Sequence, residues 1–115
     1  MKKRLRKKRR IAEFATLGVP VAIRLVAGTD FDSFLDAFLM HAVEKSDCYF
    51  WGKGSEVHLS GLIELGRPVD RPEQRLKQIV DWLDASEEVE KHVVGTIVDA
   101  WYGPFDELET IEQRI

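Results

Sequence analysis

The sequence predicts an α+β protein: a ferredoxin-like βαββαβ chain whose antiparallel sheet carries two helices on one face, with a short N-terminal helix before it and a C-terminal tail after it. Three observations lead there. Two stretches repeat apolar residues at helical spacing, several others are rich in β-branched and aromatic residues at strand length, and the two kinds alternate along the chain. A length of 115 residues holds one compact domain, large enough to bury a core without disulfides or metal.

Taken in order, Ile11, Phe14 and Leu17 recur at roughly helical spacing, and Gly18 is placed to end that short helix. Residues 19–26 read as a strand, with Val21, Ile23 and Leu25 on one face and Ala22 and Arg24 on the other. Ala27-Gly28 turns the chain, and Thr29 or Asp30 can cap a helix through Glu44. The apolar positions of that helix are Phe31, Phe34, Leu35, Phe38, Leu39 and Val43. Cys48-Tyr49-Phe50-Trp51 and residues 57–65 read as a hairpin turning at Gly52-Lys53-Gly54-Ser55, where glycine supplies the positive φ of a tight turn. Asp70 stands as the N-cap of a second long helix, with Glu73 three positions on and Leu76, Ile79, Val80 and Leu83 as its stripe. Residues 89–102 have a pattern open to helix or strand. Val93, Val94, Thr96, Ile97, Val98 and Trp101 favour a strand, with Gly95 a candidate bulge. Phe105, Leu108 and Ile111 are spaced for a short amphipathic helix that carries Asp106, Glu107, Glu109 and Glu112.

Charge divides the chain more sharply than hydropathy does. The net charge is -3, yet Lys2, Lys3, Arg4, Arg6, Lys7, Lys8, Arg9 and Arg10 supply eight of the 17 basic residues. Everything after them sets nine basic residues against 20 acidic ones, so a basic arm precedes an acidic body. The organisation expected is a basic disordered arm over 1–10, a single α+β domain over 11–104 and an acidic amphipathic tail over 105–115. The arm has too little apolar content to fold alone and orders on a partner. No apolar run approaches the roughly 20 residues that cross a bilayer. The segment Ile11-Ala12-Glu13-Phe14-Ala15-Thr16-Leu17 is too short and too charged for a signal peptide. A single cysteine, Cys48, permits no intramolecular disulfide. A cytoplasmic protein is expected.

With these residues in hand, the chain resembles the YggL family of bacterial proteins that bind the large ribosomal subunit. The resemblance is carried by Arg4-Leu5-Arg6-Lys7-Lys8, by Ile11 with Glu13-Phe14, by Leu17-Gly18, by Arg24 and by Gly28-Thr29. Gly61-Leu62 and Asp99-Ala100-Trp101-Tyr102 continue it, so that it covers nearly all of residues 4–102. Its most specific part is the junction of the arm with the short helix and first strand. The chain departs from the family's pattern in the helix after Thr29 and in the tail beyond Gly103. The resemblance implies a non-enzymatic partner of the large ribosomal subunit, meeting rRNA and possibly ribosomal proteins, with no cofactor.

The physical chemistry of the arm agrees with that expectation. Lysine and arginine neutralise phosphates and release condensed counterions, an affinity that needs no base recognition. The RNA-binding residues expected are therefore Lys2, Lys3, Arg4, Arg6, Lys7, Lys8, Arg9 and Arg10. The bland alternative is a solubilising tail. Other features are weaker signals. Tyr49, Trp51 and Trp101 could stack on bases, but no strand carries the aromatic signature of an RNA-recognition motif, and cover by the terminal helices is the simpler reading. His41, His58 and His92 lack metal-ligand spacing. Cys48 in an apolar strand reads as buried and inert. Gly52-Lys53-Gly54-Ser55 lacks the spacing of a phosphate loop. A small hydrolase of the acylphosphatase type is the enzyme alternative, and it would need an asparagine that the sequence does not contain. A module whose acidic body binds a basic protein partner is the second alternative.

Overall fold

The computed structural model describes residues 15–115. The expected arm lies outside the described residues, as does the short helix except for its last three positions. Of those three, Leu17 already belongs to the first strand, β1, Leu17–Leu25. Gly18 is therefore not a helix cap. It sits in the ladder opposite Glu64 and Val98, and a Cβ there would stand 2.9 Å from Leu62 Cδ2 and 3.3 Å from Ala100 Cβ. The glycine permits close packing.

After β1 comes helix α1, Phe31–Ala37, which continues through a π-helical segment, Phe38–Val43, and a 3-10 turn, Glu44–Ser46. Asp30 takes the N-cap position, and its carboxylate accepts the Ser33 hydroxyl at 2.6 Å. Strands β2, Tyr49–Ser55, and β3, His58–Gly66, form the hairpin. Helix α2 is Pro72–Ala85, followed by β4, Val89–Val94, and a short β5, Val98–Asp99. Helix α3, Asp106–Thr110, leads into a last 3-10 turn, Ile111–Arg114.

The sheet runs β2-β3-β1-β4, with β5 also pairing β1, and every pairing is antiparallel. The alternation expected of β1 is realised: Val19, Val21, Ile23 and Leu25 are buried in one cluster with Phe34, Phe38, Ile79 and Leu83. Both long helices therefore cover the same face of the sheet. Phe34 and Phe38 stack with centroids 6.1 Å apart, and Phe38 meets the ring of Phe50 edge-on at 5.5 Å. The opposite face holds a smaller layer, in which Ala22, Leu62 and Ile111 are buried apart from the main cluster.

Three local expectations are corrected. The hairpin does not turn at its glycines, because Gly52 and Gly54 lie within β2 opposite Gly61 and Leu59. The positive φ of the turn belongs to Glu56, at 21°. The glycines instead clear space: a Cβ on Gly52 or on Gly61 would come within 2.9 Å of Phe50 Cζ, so that ring lies over a gap in the sheet that side chains would fill. Asp70 is not the N-cap of α2. Pro72 is the first helical residue and disfavours right-handed helical backbone at the residue before it, and Arg71 takes the N-cap at φ 57°. Asp70 closes the preceding turn by accepting the Arg67 backbone N–H at 2.9 Å. The strand expected over 89–102 is two strands, broken at Gly95-Thr96-Ile97. Gly95 N–H still reaches the Pro20 carbonyl at 2.8 Å, but a Cβ on Gly95 would strike the Glu107 carboxylate, which accepts Thr96 N–H at 2.7 Å.

Candidate functional site

The sheet face away from the two long helices carries Tyr49, Trp51 and His58 among the residues singled out by the sequence. The C-terminal segment lies across it. Ile111 is fully buried, Ser60 donates its hydroxyl to Glu112 at 3.0 Å, and Arg24 reaches the Ile115 carbonyl as well as Glu90, the latter at 2.9 Å. An amphipathic spacing in the sequence thus becomes a lid over β1 and β3. Beside that lid a cleft of about 460 Å³ runs along the sheet edge between Trp51 and Lys53 on one side and Leu108, Glu109 and Glu112 on the other.

Tyr49 and Trp51 share this face with His58, as the hairpin alternation implies. Tyr49 is 74% and Trp51 47% exposed. Trp101 and Tyr102 are exposed as well, at the end of the motif Asp99-Ala100-Trp101-Tyr102. Asp99 holds that turn, accepting the backbone N–H of Trp101 at 2.8 Å and of Tyr102 at 2.9 Å through one carboxylate oxygen. Among the described residues, the cover by terminal helices expected over Tyr49, Trp51 and Trp101 is partial at Trp51, which lines a cleft with Leu108 and Glu109, while Tyr49 and Trp101 are exposed.

The cations of the body are mostly committed. Arg24 pairs with Glu90, Lys53 with Glu112, Arg67 with Asp70, Lys77 with Asp81 and Arg114 with Glu107. Arg75 spends its guanidinium on the carbonyls of Asp47 and Leu65, at 3.1 and 3.2 Å. The described residues consequently present more acid than base to a partner. All eight arm residues, Lys2, Lys3, Arg4, Arg6, Lys7, Lys8, Arg9 and Arg10, lie outside the described residues.

Cys48 is 2% exposed within the main core, and its thiol points to the Ser46 carbonyl at 3.4 Å. Burial pushes its pKa up to about 11, against the opposing pull of Arg75. A thiol held in that state is a poor nucleophile at neutral pH. His92 Nε2 lies 2.6 Å from Asp84 Oδ1, on the helix side of the sheet. Among the described residues no three histidine, cysteine, aspartate or glutamate side chains group as a metal site, and no helix is long and apolar enough to cross a membrane.

These features define a small α+β domain with an acid-rich surface, exposed aromatic side chains and an antiparallel sheet packed on one face by the two long helices and partly covered on the other by the C-terminal segment. Residues 3–102 match the family model described as YggL 50S ribosome-binding protein. The chain belongs to this family. No curated protein and no solved structure matches it. The match begins inside the basic arm and ends at Tyr102, so it takes in the arm, the sheet and the aspartate-anchored aromatic turn together.

Proposed function

We propose that this protein is a non-enzymatic, cytoplasmic protein that binds the large ribosomal subunit, with its basic N-terminal arm on rRNA phosphates. The observation that carries this reading is the family match over residues 3–102, because it includes both arm and body. The charge distribution supports it: the body's cations are largely paired to its own acids, whereas the eight arm cations are unmatched by any acid within the arm. Phosphate neutralisation then falls to Lys2, Lys3, Arg4, Arg6, Lys7, Lys8, Arg9 and Arg10. We read the platform as ferredoxin-like, from the sheet order β2-β3-β1-β4 and the two long helices sharing one core. The acidic body is repelled by RNA, which limits docking to orientations that lead with the arm.

The test is sedimentation of tagged protein with cell extract through a gradient, followed by crosslinking. Comigration with the large subunit and crosslinks from residues 2–10 to rRNA are expected. Absence from the large-subunit fractions would overturn the partner, and crosslinks confined to the body would overturn the role of the arm.

A further inference from the structure

The sheet has an edge that nothing among the described residues closes. Strand β2 pairs only with β3, and no other backbone hydrogen bond among the described residues involves residues 49–55. Edge strands left open in this way are templates for another extended chain, and proteins normally blunt them with proline, bulges or several charges. β2 carries no proline and a single charged residue, Lys53, already 3.6 Å from Glu112. All but one of its seven residues are exposed. Among the described residues this edge is open.

We propose that the edge of β2 takes up an extended, lysine- or arginine-bearing polypeptide segment by strand addition. Its backbone would pair with the outward N–H and C=O groups of residues 49–55, and its alternate side chains would fall to the two faces. Clefts of about 460 Å³ and 400 Å³ border the strand to receive them. The first is lined by Glu109 and Glu112, the second by Glu44 and Asp47, and Glu64 lies opposite Tyr49 in the register. Lys53, the one cation of the strand, is paired with Glu112, which leaves Glu109, Glu44, Asp47 and Glu64 as the excess of acid. The charge therefore favours a basic occupant and disfavours a phosphate chain, while Tyr49 and Trp51 offer ring faces on which a lysine or arginine can lie. A second copy of this chain fits less well, since it would bring the same excess of acid to the interface. The site is independent of the arm's phosphate contacts, so each can fail without the other.

The experiment uses the full chain and a fluorescent peptide of alternating valine and lysine, read by anisotropy, with amide hydrogen exchange on the protein. Binding is expected, with exchange at the outward amides of residues 49–55 slowed at least about tenfold. Replacing the lysines by glutamates should abolish binding. Glu109→Lys and Glu112→Gln should each weaken it about threefold to fivefold, the scale of one surface ion pair. Alternate N-methylation of the peptide, which removes every second donor, should abolish it too. The proposal is overturned if the N-methylated peptide binds equally well, if protection falls elsewhere than on β2, or if oligouridylate competes for the same amides. It is likewise overturned if those amides are protected by dimerisation of the protein alone.

Discussion

Ser60 donates its hydroxyl to Glu112 at 3.0 Å, a bond across 52 residues that ties the last turn of the described residues to the first part of β3. Next to it, Ile111 is fully buried in the small layer with Leu62 and Ala22. The acidic C-terminal segment is thus held to the sheet by a buried apolar anchor, Ile111, and by polar contacts that include Ser60–Glu112, Lys53–Glu112 and Arg24 to the Ile115 carbonyl. Ile111→Ala should cost about 2–5 kcal/mol, the range for emptying a buried isoleucine site. Glu112→Gln, which can still accept from Ser60, should cost under about 1 kcal/mol. Urea unfolding of the two variants checks the ranking. Equal losses would mean that the segment is held by charge and not by packing.

A second prediction concerns the glycine pair beneath Phe50. Gly61 faces Gly52 across the hairpin, and a Cβ on Gly61 would stand 2.6 Å from Gly52 Cα and 2.9 Å from Phe50 Cζ. Backbone on one side and a core ring on the other leave little room to yield. Gly61→Ala should destabilise the protein by about 1–3 kcal/mol, the usual cost of overpacking, despite alanine's lower backbone entropy cost. If thermal melting shows Gly61→Ala to be neutral or stabilising, the ring does not lie over that gap.

The thiol of Cys48 gives a pH prediction. Its ordinary pKa of 9.0 is pushed up to about 11 by burial, so the folded protein keeps a proton that the unfolded chain gives up. The contribution is fully present below pH 9.0 and is lost as pH rises through about 11. Unfolding midpoints of the native protein should fall across that window, and those of Cys48→Ala should fall less. In native conditions at pH 8 a thiol reagent should label Cys48 slowly and label it fast in denaturant. Fast native labelling would contradict its burial.

Much of this fold was written in the apolar periodicities, and the errors have physical causes. Phe34, Phe38, Ile79 and Leu83 were legible as core because helical spacing gives each helix a single face to bury, and all four are at most 1% exposed. The faces of Tyr49 and Trp51 were legible from strand alternation. Gly52 and Gly54 misled because glycine serves two needs, positive φ and close approach, and a sequence does not say which applies. Here the second did, while Glu56 took the turn. Asp70 misled because an acid before a helix suggests a cap, although with Pro72 as the first helical residue the cap position falls on Arg71. The open edge of β2 was legible only through the ferredoxin-like expectation as a whole, and from no residue of the strand itself. Strand order decides which strand ends a sheet, and that order is set by contacts across the chain.

The last prediction rests on charge counting and is indifferent to the details of the fold. Eight basic residues precede residue 11, and if roughly five reach phosphates at once the slope of log affinity against log salt is about -3.5 on single-stranded RNA. Removing residues 2–10 should flatten that slope and leave the fold intact, since a segment whose one apolar side chain is Leu5 has no face to bury. Single changes such as Arg6→Ala should each weaken binding modestly and reduce the slope by about one contact or less. A graded response marks a uniform electrostatic arm. A specific pocket would instead concentrate the loss at one or two positions, whose partners are left unpaired. Co-sedimentation with the large subunit, over a salt series, separates these outcomes when the full chain, the truncated chain and the single variants are compared. A truncated protein that binds as tightly as the full chain, with the same salt dependence, would transfer the interaction to the acidic body and remove the arm from the mechanism.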